Sequence, residues 1–376
     1  MKTPENARHP SSEGDPVPPK ARPPKKPPAS RRGLHVALSI LLAAGLLAFF
    51  LSRANLSEIG RQIAQASPAW LAISTLLGLG TFLLRALRWV WILRPVGRVP
   101  FFPAFSATAV GFAANTVLPA RAGEIVRPAL LARERRLPFS ALLASILFER
   151  VLDAACVLFF LLLAIIAGPP SSAHGSAFGA LAKGAVVPAL LLAAVIGVSL
   201  FAVFRRASTE RFFERLARRL PARIAPRASA FAATFLDGFE SLRRPRLSLL
   251  VVAGSLLMWL VINLQIHATL KAFGLALPLS AAYVVTAAAV LGLAVPTPGG
   301  IGGYHAAVQV ALTDLYGVPV AAASGVALLA HAISFVPISL VGFALFAASP
   351  MRKEGLKELA EEPREAGTRM GDNLLR

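Results

Sequence analysis

The sequence contains a series of apolar runs, each long enough to cross a lipid bilayer as a helix. About 20 apolar residues span the hydrocarbon at about 1.5 Å per helical residue. Runs of Leu, Ala, Val and Phe alternate with short Arg clusters, and 15% of the residues are charged, against about 25% in a typical soluble domain. The pattern predicts an all-α polytopic membrane protein rather than a soluble enzyme. Six runs have the length of a full span: 34–51, 70–93, 139–167, 186–204, 247–270 and 320–348.

Two further apolar stretches, 101–118 and 281–315, are interrupted. Gly111, Asn115 and Pro119 supply a break for the first, and a motif rich in Pro and Gly breaks the second. Basic linkers flank the first stretch on both sides, so a hairpin that enters and leaves on one face fits the positive-inside rule better than a full crossing. We therefore predict about six full transmembrane helices plus two re-entrant or broken helical elements, with eight full spans as the alternative.

The distribution of basic residues predicts the orientation of the chain. There are 39 Lys and Arg against 19 acidic residues, a formal charge of +20. They lie between apolar segments and in residues 1–33, where positive-inside sorting and anionic headgroups explain them without nucleic acid. Residues 1–33 are basic and Pro-rich, which predicts a disordered cytoplasmic tail. Residues 349–376 form a second cytoplasmic tail. We expect a multi-pass protein of the inner (plasma) membrane with both termini in the cytoplasm.

One cytoplasmic segment, 205–246, holds eleven Arg and two amphipathic patterns. Apolar side chains recur at helical spacing while most Arg residues lie elsewhere, which is typical of helices in the headgroup plane. The apolar positions are Phe212, Phe213, Leu216 and Leu220 in the first pattern, and Phe231, Phe235, Phe239 and Leu242 in the second.

Charged residues also lie inside the apolar runs. The run 139–167 contains Glu149, Arg150 and Asp153, and Arg85 and Arg88 share one face of the run 70–93. A charge at the bilayer centre costs at least about 2.5 kcal/mol, so these side chains must face protein or water. Arg150 pairs most naturally with Asp153 at a spacing of three. The cluster indicates a pathway or a site; the alternative is a salt-bridge cluster that locks the bundle.

The first interrupted stretch adds further polar groups beside this cluster. Arginine forks suit phosphate oxygens, and glycines let a backbone approach a ligand closely. A lipid phosphate entering from the inner leaflet fits this chemistry. No Walker lysine follows the glycines, so we expect no nucleotide. The predicted substrate-binding residues are Arg85, Arg88, Asn115, Arg121, Glu124, Arg127, Glu149, Arg150, Asp153, Gly299 and Gly300.

Catalytic and metal-binding patterns are absent from the sequence. Cys156 is the one cysteine, which rules out an intrachain disulfide and a cysteine-based zinc site. The six His have no metal-ligand spacing, and we expect His267, His305 and His331, in or near spans, to form hydrogen bonds within the bundle. Nothing resembles a nucleophile elbow. We therefore predict no metal, no cofactor and no catalytic residue.

Four motifs occur together in a specific order: residues 85–89 (RALRW), 111–127 (GFAANTVLPARAGEIVR), 149–153 (ERVLD) and 296–302 (PTPGGIG). This ordered set resembles the transmembrane flippase-like region of the lysylphosphatidylglycerol synthase family, over roughly 34–348. The resemblance implies a helical bundle with re-entrant elements and a role in moving lipids between leaflets.

Two departures limit what the resemblance implies. In bifunctional members a C-terminal domain attaches the amino acid to the lipid, whereas here residues 349–376 follow the last predicted span. In the family pattern an acidic residue often follows the glycine motif, whereas this chain has Tyr304 and His305. We therefore expect neither aminoacyl transfer nor a lysylated substrate to carry over.

The function predicted from the sequence is translocation of a phospholipid or another lipid-linked substrate, without enzymatic activity. Its expected partners are membrane lipids with anionic headgroups, and a homo-oligomer or a partner membrane enzyme is compatible with the sequence. Two alternatives remain: a membrane scaffold that does not transport, and a membrane-embedded transferase acting on a lipid-linked substrate.

Overall fold

The computed structural model describes residues 29–349, except positions 53, 54, 119, 120, 169–174, 218, 220, 222–224, 238, 240–242 and 296. All regular structure in these residues is helical. The helices are α1 (Ala29–Ser52), α2 (Leu56–Ala64), α3 (Pro68–Leu93), α4 (Phe101–Val117), α5 (Gly123–Arg135), α6 (Phe139–Ala167), α7 (Gly175–Phe204), α8 (Arg206–Ala217), α9 (Ala225–Asp237), α10 (Pro245–Ala272), α11 (Leu279–Ala294), α12 (Gly303–Val310) and α13 (Val320–Ala348).

Four helices, α3, α6, α10 and α13, are long and apolar enough to cross a membrane, and a fifth span is added if the bent pair α1 and α2 counts as one. Shorter apolar helices cover Phe101–Val117, Ala182–Gly197 and Leu279–Ala294. The prediction of an all-helical polytopic membrane protein is confirmed. Two boundaries differ from the prediction, because α1 begins inside the expected tail 1–33 and α7 begins eleven residues before residue 186.

The long helices pack against one another through small and hydroxyl-bearing residues, as is usual in membranes. Ser74 of α3 lies 2.8 Å from the hydroxyl of Thr269 on α10 and donates to the backbone carbonyl of Gln265 at 3.1 Å. Gly342 of α13 faces the backbone of α4, where an added Cβ would collide with the carbonyl of Ala109. These contacts bring α3, α4, α10 and α13 together around one interior.

The first broken element is a pair of helices, α4 and α5, that fold back on each other. The prediction that Gly111 and Asn115 break the helix is wrong, because α4 runs through both residues to Val117. Gly111 instead permits close approach to α5, because a Cβ on Gly111 would lie 2.9 Å from the Cβ of Arg127 and 3.1 Å from the carbonyl oxygen of Gly123. A Cβ on Gly123 would in turn collide with the Gly111 carbonyl. A glycine inside a helix lowers stability by only about 1 kcal/mol relative to Ala. Helix α4 can therefore contain Gly111 at this contact without being interrupted there. Pro119 lies outside the described residues.

The second broken element follows α11 and interrupts the helix at the predicted motif. The chain turns through Pro298–Gly300, and Gly299, Gly300 and Gly302 have positive φ angles of 60°, 73° and 87°. These angles fall in the region that L residues rarely adopt, which explains the glycines. The helix then resumes as α12 and ends in a π-helical turn, Ala311–Leu315. Gly292 and Gly303 hold the backbones of α11 and α12 in contact.

The basic segment between α7 and α10 forms the amphipathic helices α8 and α9. Phe212 and Leu216 are 59% and 48% exposed, as expected for an apolar face turned away from the protein. The expectation is wrong for Phe239, which is buried against the ring of Phe148 on α6. The expected positions Leu220 and Leu242, and the side chain of Phe235, lie outside what the structure describes.

Candidate functional site

A buried network of ion pairs lies between α3, α5, α6 and α10. Arg88, on α3, is fully buried. Its Nη1 lies 2.7 Å from Asp153 Oδ1, and its Nη2 lies 3.3 Å from Glu149 Oε1. Nη1 also donates to Ser255 Oγ of α10 at 3.2 Å. Arg88 therefore joins both carboxylates of α6 to a third helix.

Asp153 is the most highly connected member of the network. Besides Arg88, its carboxylate is 3.3 Å from Arg85 Nη1 and 3.3 Å from Arg150 Nη1. The indole Nε1 of Trp259 donates to its Oδ1 at 3.0 Å. The predicted pair Arg150–Asp153 is confirmed, and a carboxylate with this many charge-assisted donors is held in one position.

Glu149 is fully buried and is paired on both oxygens. Its Oε2 lies 2.6 Å from Arg127 Nη1, which brings α5 into the network. The guanidinium carbon of Arg127 lies 3.8 Å from the centroid of the Trp89 ring, a stacked cation–π geometry. The Trp89 indole in turn donates to Ser145 Oγ at 2.9 Å. The Arg127 side chain is thus fixed by contacts with two other helices.

Helical spacing explains how the sequence builds this network. Glu149 and Asp153 are four residues apart and share one face of α6, while Arg85 and Arg88 are three apart on α3. Burying any one of these charges alone would be costly, whereas mutual pairing compensates much of the desolvation. The network and its immediate neighbours carry more positive than negative charge: five cations (Arg85, Arg88, Arg121, Arg127 and Arg150) against three anions (Glu124, Glu149 and Asp153).

A cavity of about 330 Å³ adjoins the network. This volume lies within the range of small-molecule sites. Arg88 and Glu149 do not line it; they lie behind the residues that do. The remaining predicted site residues all line it, namely Arg85, Asn115, Arg121, Glu124, Arg127, Arg150, Asp153, Gly299 and Gly300. The structure therefore brings nine of the eleven predicted residues to one cavity and places the other two in its supporting layer.

The two broken elements meet at this cavity. The Nη2 of Arg121, between α4 and α5, donates to the backbone carbonyl of Leu293 in the last turn of α11. Helix C-terminal carbonyls are natural acceptors for cations. Nearby, the hydroxyls of Thr116 on α4 and Ser339 on α13 are 2.8 Å apart. Arg121 also has a positive φ of 54°, so the turn before α5 takes a left-handed conformation that is uncommon for a non-glycine residue.

Two histidines hold the glycine turn of the second broken element. His331 Nε2, on α13, lies 2.9 Å from the carbonyl oxygen of Gly299. The Nδ1 of His305 accepts the backbone N–H of Gly302 at 3.3 Å. The expected role of these two residues in hydrogen bonding within the bundle is confirmed. His267 differs, because its Nδ1 has no hydrogen-bond partner in the described part of the chain.

Several cavity-lining residues were not predicted from the sequence. Trp259 and Gln265 come from α10, Thr286 from α11, and Ser334 from α13. In the sequence, a tryptophan within a span cannot be distinguished from the other apolar residues of that span. An isolated Thr or Ser in a membrane helix gives no signal of a site, because its hydroxyl usually bonds the backbone of its own helix. Across the described residues, no group of three or more His, Cys, Asp or Glu could hold a metal ion.

Comparison with known proteins identifies the family. The family model of the lysylphosphatidylglycerol synthase TM region matches residues 36–342. Glycosyltransferase AglD of Haloferax volcanii is 30% identical over 129 residues, which are 34% of this chain and 20% of that protein. The similarity thus spans about a fifth of the length of this relative. On the family match, which covers most of the sequence and all four motifs, this multi-pass membrane protein belongs to the lysylphosphatidylglycerol synthase TM region family.

Proposed function

We propose that this protein moves a phosphate-bearing lipid between the leaflets of the membrane, with the cavity as its headgroup site. The observation that carries the proposal is the charge of the cavity wall. Four arginines line it, Arg85, Arg121, Arg127 and Arg150, against the two carboxylates Glu124 and Asp153. An excess of two positive charges in a partly enclosed and partly apolar cavity favours an anionic ligand.

Unpaired donors support a phosphate as the bound group. The Nε and Nη2 of Arg127 and the Nε of Arg85 are buried without a hydrogen-bond partner in the described residues. An unsatisfied buried donor costs about 1–3 kcal/mol, and more when it is charged. Phosphate oxygens accept several such bonds and match the guanidinium geometry. A bound phosphate would therefore remove a cost that the unliganded site carries.

The two broken elements suggest how access to the cavity is controlled. The proposed topology has six full spans and two re-entrant elements, α4–α5 and α11–α12, with both termini in the cytoplasm as the basic segments predict. Broken helices that meet near the midplane are a common arrangement in transporters. The bond from Arg121 to the Leu293 carbonyl joins the two elements. Headgroup binding at Arg121 would compete with this bond and so release one element from the other.

The carboxylates act in this proposal as counter-ions rather than as general acids or bases. Both carboxylate oxygens of Glu149 pair with guanidinium groups. The carboxylate of Asp153 pairs with three guanidinium groups and accepts a hydrogen bond from an indole N–H. Each carboxylate therefore balances the charge of the guanidinium groups around it. The protein is accordingly proposed to be a transporter and not an enzyme.

A transferase is the second candidate, and one observation favours it. The relative from Haloferax volcanii is named a glycosyltransferase, although the similarity covers 20% of its length. This candidate predicts that a lipid-linked substrate is chemically altered, whereas translocation leaves its mass unchanged.

Native mass spectrometry of the detergent-purified protein tests the headgroup site. The wild type should retain a defined phosphate-containing lipid, and Arg121→Ala should lose it, because Arg121 lines the cavity. Arg98→Ala is the matched control, since Arg98 is exposed and lies outside the cavity lining. Retention of the same lipid by both the wild type and Arg121→Ala would remove Arg121 from the site. Retention of only the bulk lipid mixture by the wild type would contradict the proposed headgroup site itself.

A further inference from the structure

The cavity has a second set of polar residues, which carry no charge. The charged lining residues come from α3, from α5 and the turn before it, and from α6. Most of the uncharged polar residues come from α10, from the second broken element and its flanks, and from α13, namely Gln265, Thr286, Thr297, Tyr304 and Ser334. Thr81 of α3 and Asn115 of α4 also line the cavity. The wall of the cavity is therefore cationic where α3, α5 and α6 supply it and neutral but hydrogen-bonding where α10 to α13 supply it.

Two hydroxyls in the neutral set are left without partners. Thr286 and Thr297 are 4% and 6% exposed, and neither Oγ1 has a hydrogen-bond partner among the described residues. Other buried threonines in this protein bond their own helix, as Thr108 does to the Ala104 carbonyl at 2.7 Å. The amide oxygen of Asn115, on α4, is likewise buried and unpaired within the described part of the chain. Buried polar groups are nearly always satisfied, so three unsatisfied groups on one cavity point to a ligand that satisfies them.

The acidic groups of the site are already paired, which bears on the charge of the headgroup. Asp153 and Glu149 are each held by at least two guanidinium groups. Glu124 lies 3.5 Å from Arg150 and 4.0 Å from Arg121. An ammonium group on the ligand would find these carboxylates occupied and would face the excess of arginines. Like-charge juxtaposition of this kind works against binding.

We infer that the lipid carries an uncharged, hydroxyl-rich headgroup esterified to its phosphate. The phosphodiester binds the arginines, while the headgroup hydroxyls bond the side chains of Thr286, Thr297 and Asn115. This inference rests on the proposed function, because it specifies the substrate class of the same cavity. It disfavours a cationic aminoacylated lipid and a phosphate lipid without hydroxyl groups.

Three phospholipids of equal charge separate the contribution of the phosphodiester to binding from that of the headgroup hydroxyls. Phosphatidylethanol carries a phosphodiester and no hydroxyl, phosphatidylglycerol adds a glycerol, and phosphatidylinositol adds an inositol. Binding of each to delipidated protein is measured by native mass spectrometry titration, with an aminoacylated phosphatidylglycerol as a fourth probe. The wild type should bind the inositol lipid most tightly and the aminoacylated lipid most weakly.

Thr286→Val and Thr297→Val remove the hydroxyls while keeping the branched shape. Each should weaken phosphatidylinositol binding roughly fivefold, the value of about one neutral hydrogen bond, and leave phosphatidylethanol binding unchanged. Thr108→Val is the control, because Thr108 is buried but does not line the cavity. Thermal unfolding of each variant shows that it remains folded.

The outcomes distinguish this inference from the proposed function. Equal binding of the three anionic lipids, or tightest binding of the aminoacylated one, overturns the hydroxyl-rich headgroup but leaves an anionic-lipid site in place. If both threonine variants still prefer phosphatidylinositol over phosphatidylethanol as strongly as the wild type does, the inference is also overturned. Failure to bind any of the four lipids contradicts the proposed function itself.

Discussion

Replacing Glu149 by Gln perturbs the buried network at a defined point. The carboxylate of Glu149 accepts from Arg127 at 2.6 Å and from Arg88 at 3.3 Å. The amide of Gln keeps the shape but offers one oxygen, and its NH₂ group must face a guanidinium. Arg88 keeps its pair with Asp153, whereas Arg127 loses the one carboxylate partner that the described residues give it.

The size of the effect follows from the burial of both partners. Breaking a buried pair on one side costs about 3–5 kcal/mol, because the remaining charge stays buried without compensation. The amide oxygen of the introduced Gln side chain still accepts one bond, so Glu149→Gln should lower the free energy of unfolding by about 3 kcal/mol. Arg127→Gln should cost a similar amount, since it also removes the contact with the Trp89 ring. The double variant has neither charge and should cost about 3 kcal/mol rather than the sum.

The one cysteine of the chain provides the assay. Cys156 is buried on α6, so a fluorogenic maleimide reports its exposure as the protein unfolds in detergent. Each single variant should lower the melting temperature by about 4 °C. The double-variant cycle should give a coupling energy of about 2–3 kcal/mol.

Additive effects of the two substitutions would refute the paired arrangement of Glu149 and Arg127. Single variants that melt with the wild type would show that neither charge is buried as the structure places it. A matched control is Glu58→Gln: Glu58 pairs with Arg61 on the exposed surface of α2 and should change the melting temperature little.

Three further predictions address the packing of the broken elements and the basic segment. Gly123→Ala should destabilise the fold by about 2 kcal/mol or more in the maleimide assay, because its Cβ would collide with a backbone carbonyl. Gly184→Ala, in open space on α7, should instead be neutral or stabilising by up to about 1 kcal/mol. Hydrogen bonds to Glu210 and Asp237 raise the pKa of Arg206 in the folded protein. The stabilisation that these bonds give the folded protein is therefore present throughout neutral pH and is lost only in strong alkali. Arg206→Ala should therefore lower the free energy of unfolding by less than about 1 kcal/mol. The loss should be independent of pH between about 6 and 8 and smaller at high salt. A loss that is equal at all salt concentrations would exclude an ion pair.

Much of the architecture could be predicted from the sequence because a bilayer constrains span length and buried charge so strongly. The expected spans at 70–93, 139–167, 247–270 and 320–348 coincide with α3, α6, α10 and α13. The pair Arg150–Asp153 also follows from helical spacing alone. These features depend on local pattern, which the sequence records directly.

The features that could not be predicted from the sequence depend on contacts between helices that are distant in the chain. Trp259 bonds Asp153 across 106 residues, and nothing in its sequence context distinguishes it from an ordinary apolar residue. The separation of the predicted site into cavity-lining residues and a supporting layer, with Arg88 and Glu149 in the latter, is likewise set by packing. The break expected at Gly111 is wrong for the same reason: the glycine serves contact with α5, which local sequence does not reveal.

Lipid translocation is tested most directly in proteoliposomes that carry fluorescent phosphatidylglycerol in the inner leaflet. A membrane-impermeant reductant measures the fraction that reaches the outer leaflet. Mass analysis of lipid extracted from a parallel sample without the reductant shows whether the protein altered it. We predict that wild-type protein increases the outer-leaflet fraction with time, that Arg121→Ala does so more slowly, and that the mass of the lipid is unchanged. A leaflet distribution equal to that of protein-free vesicles, or a lipid of altered mass, would contradict the account.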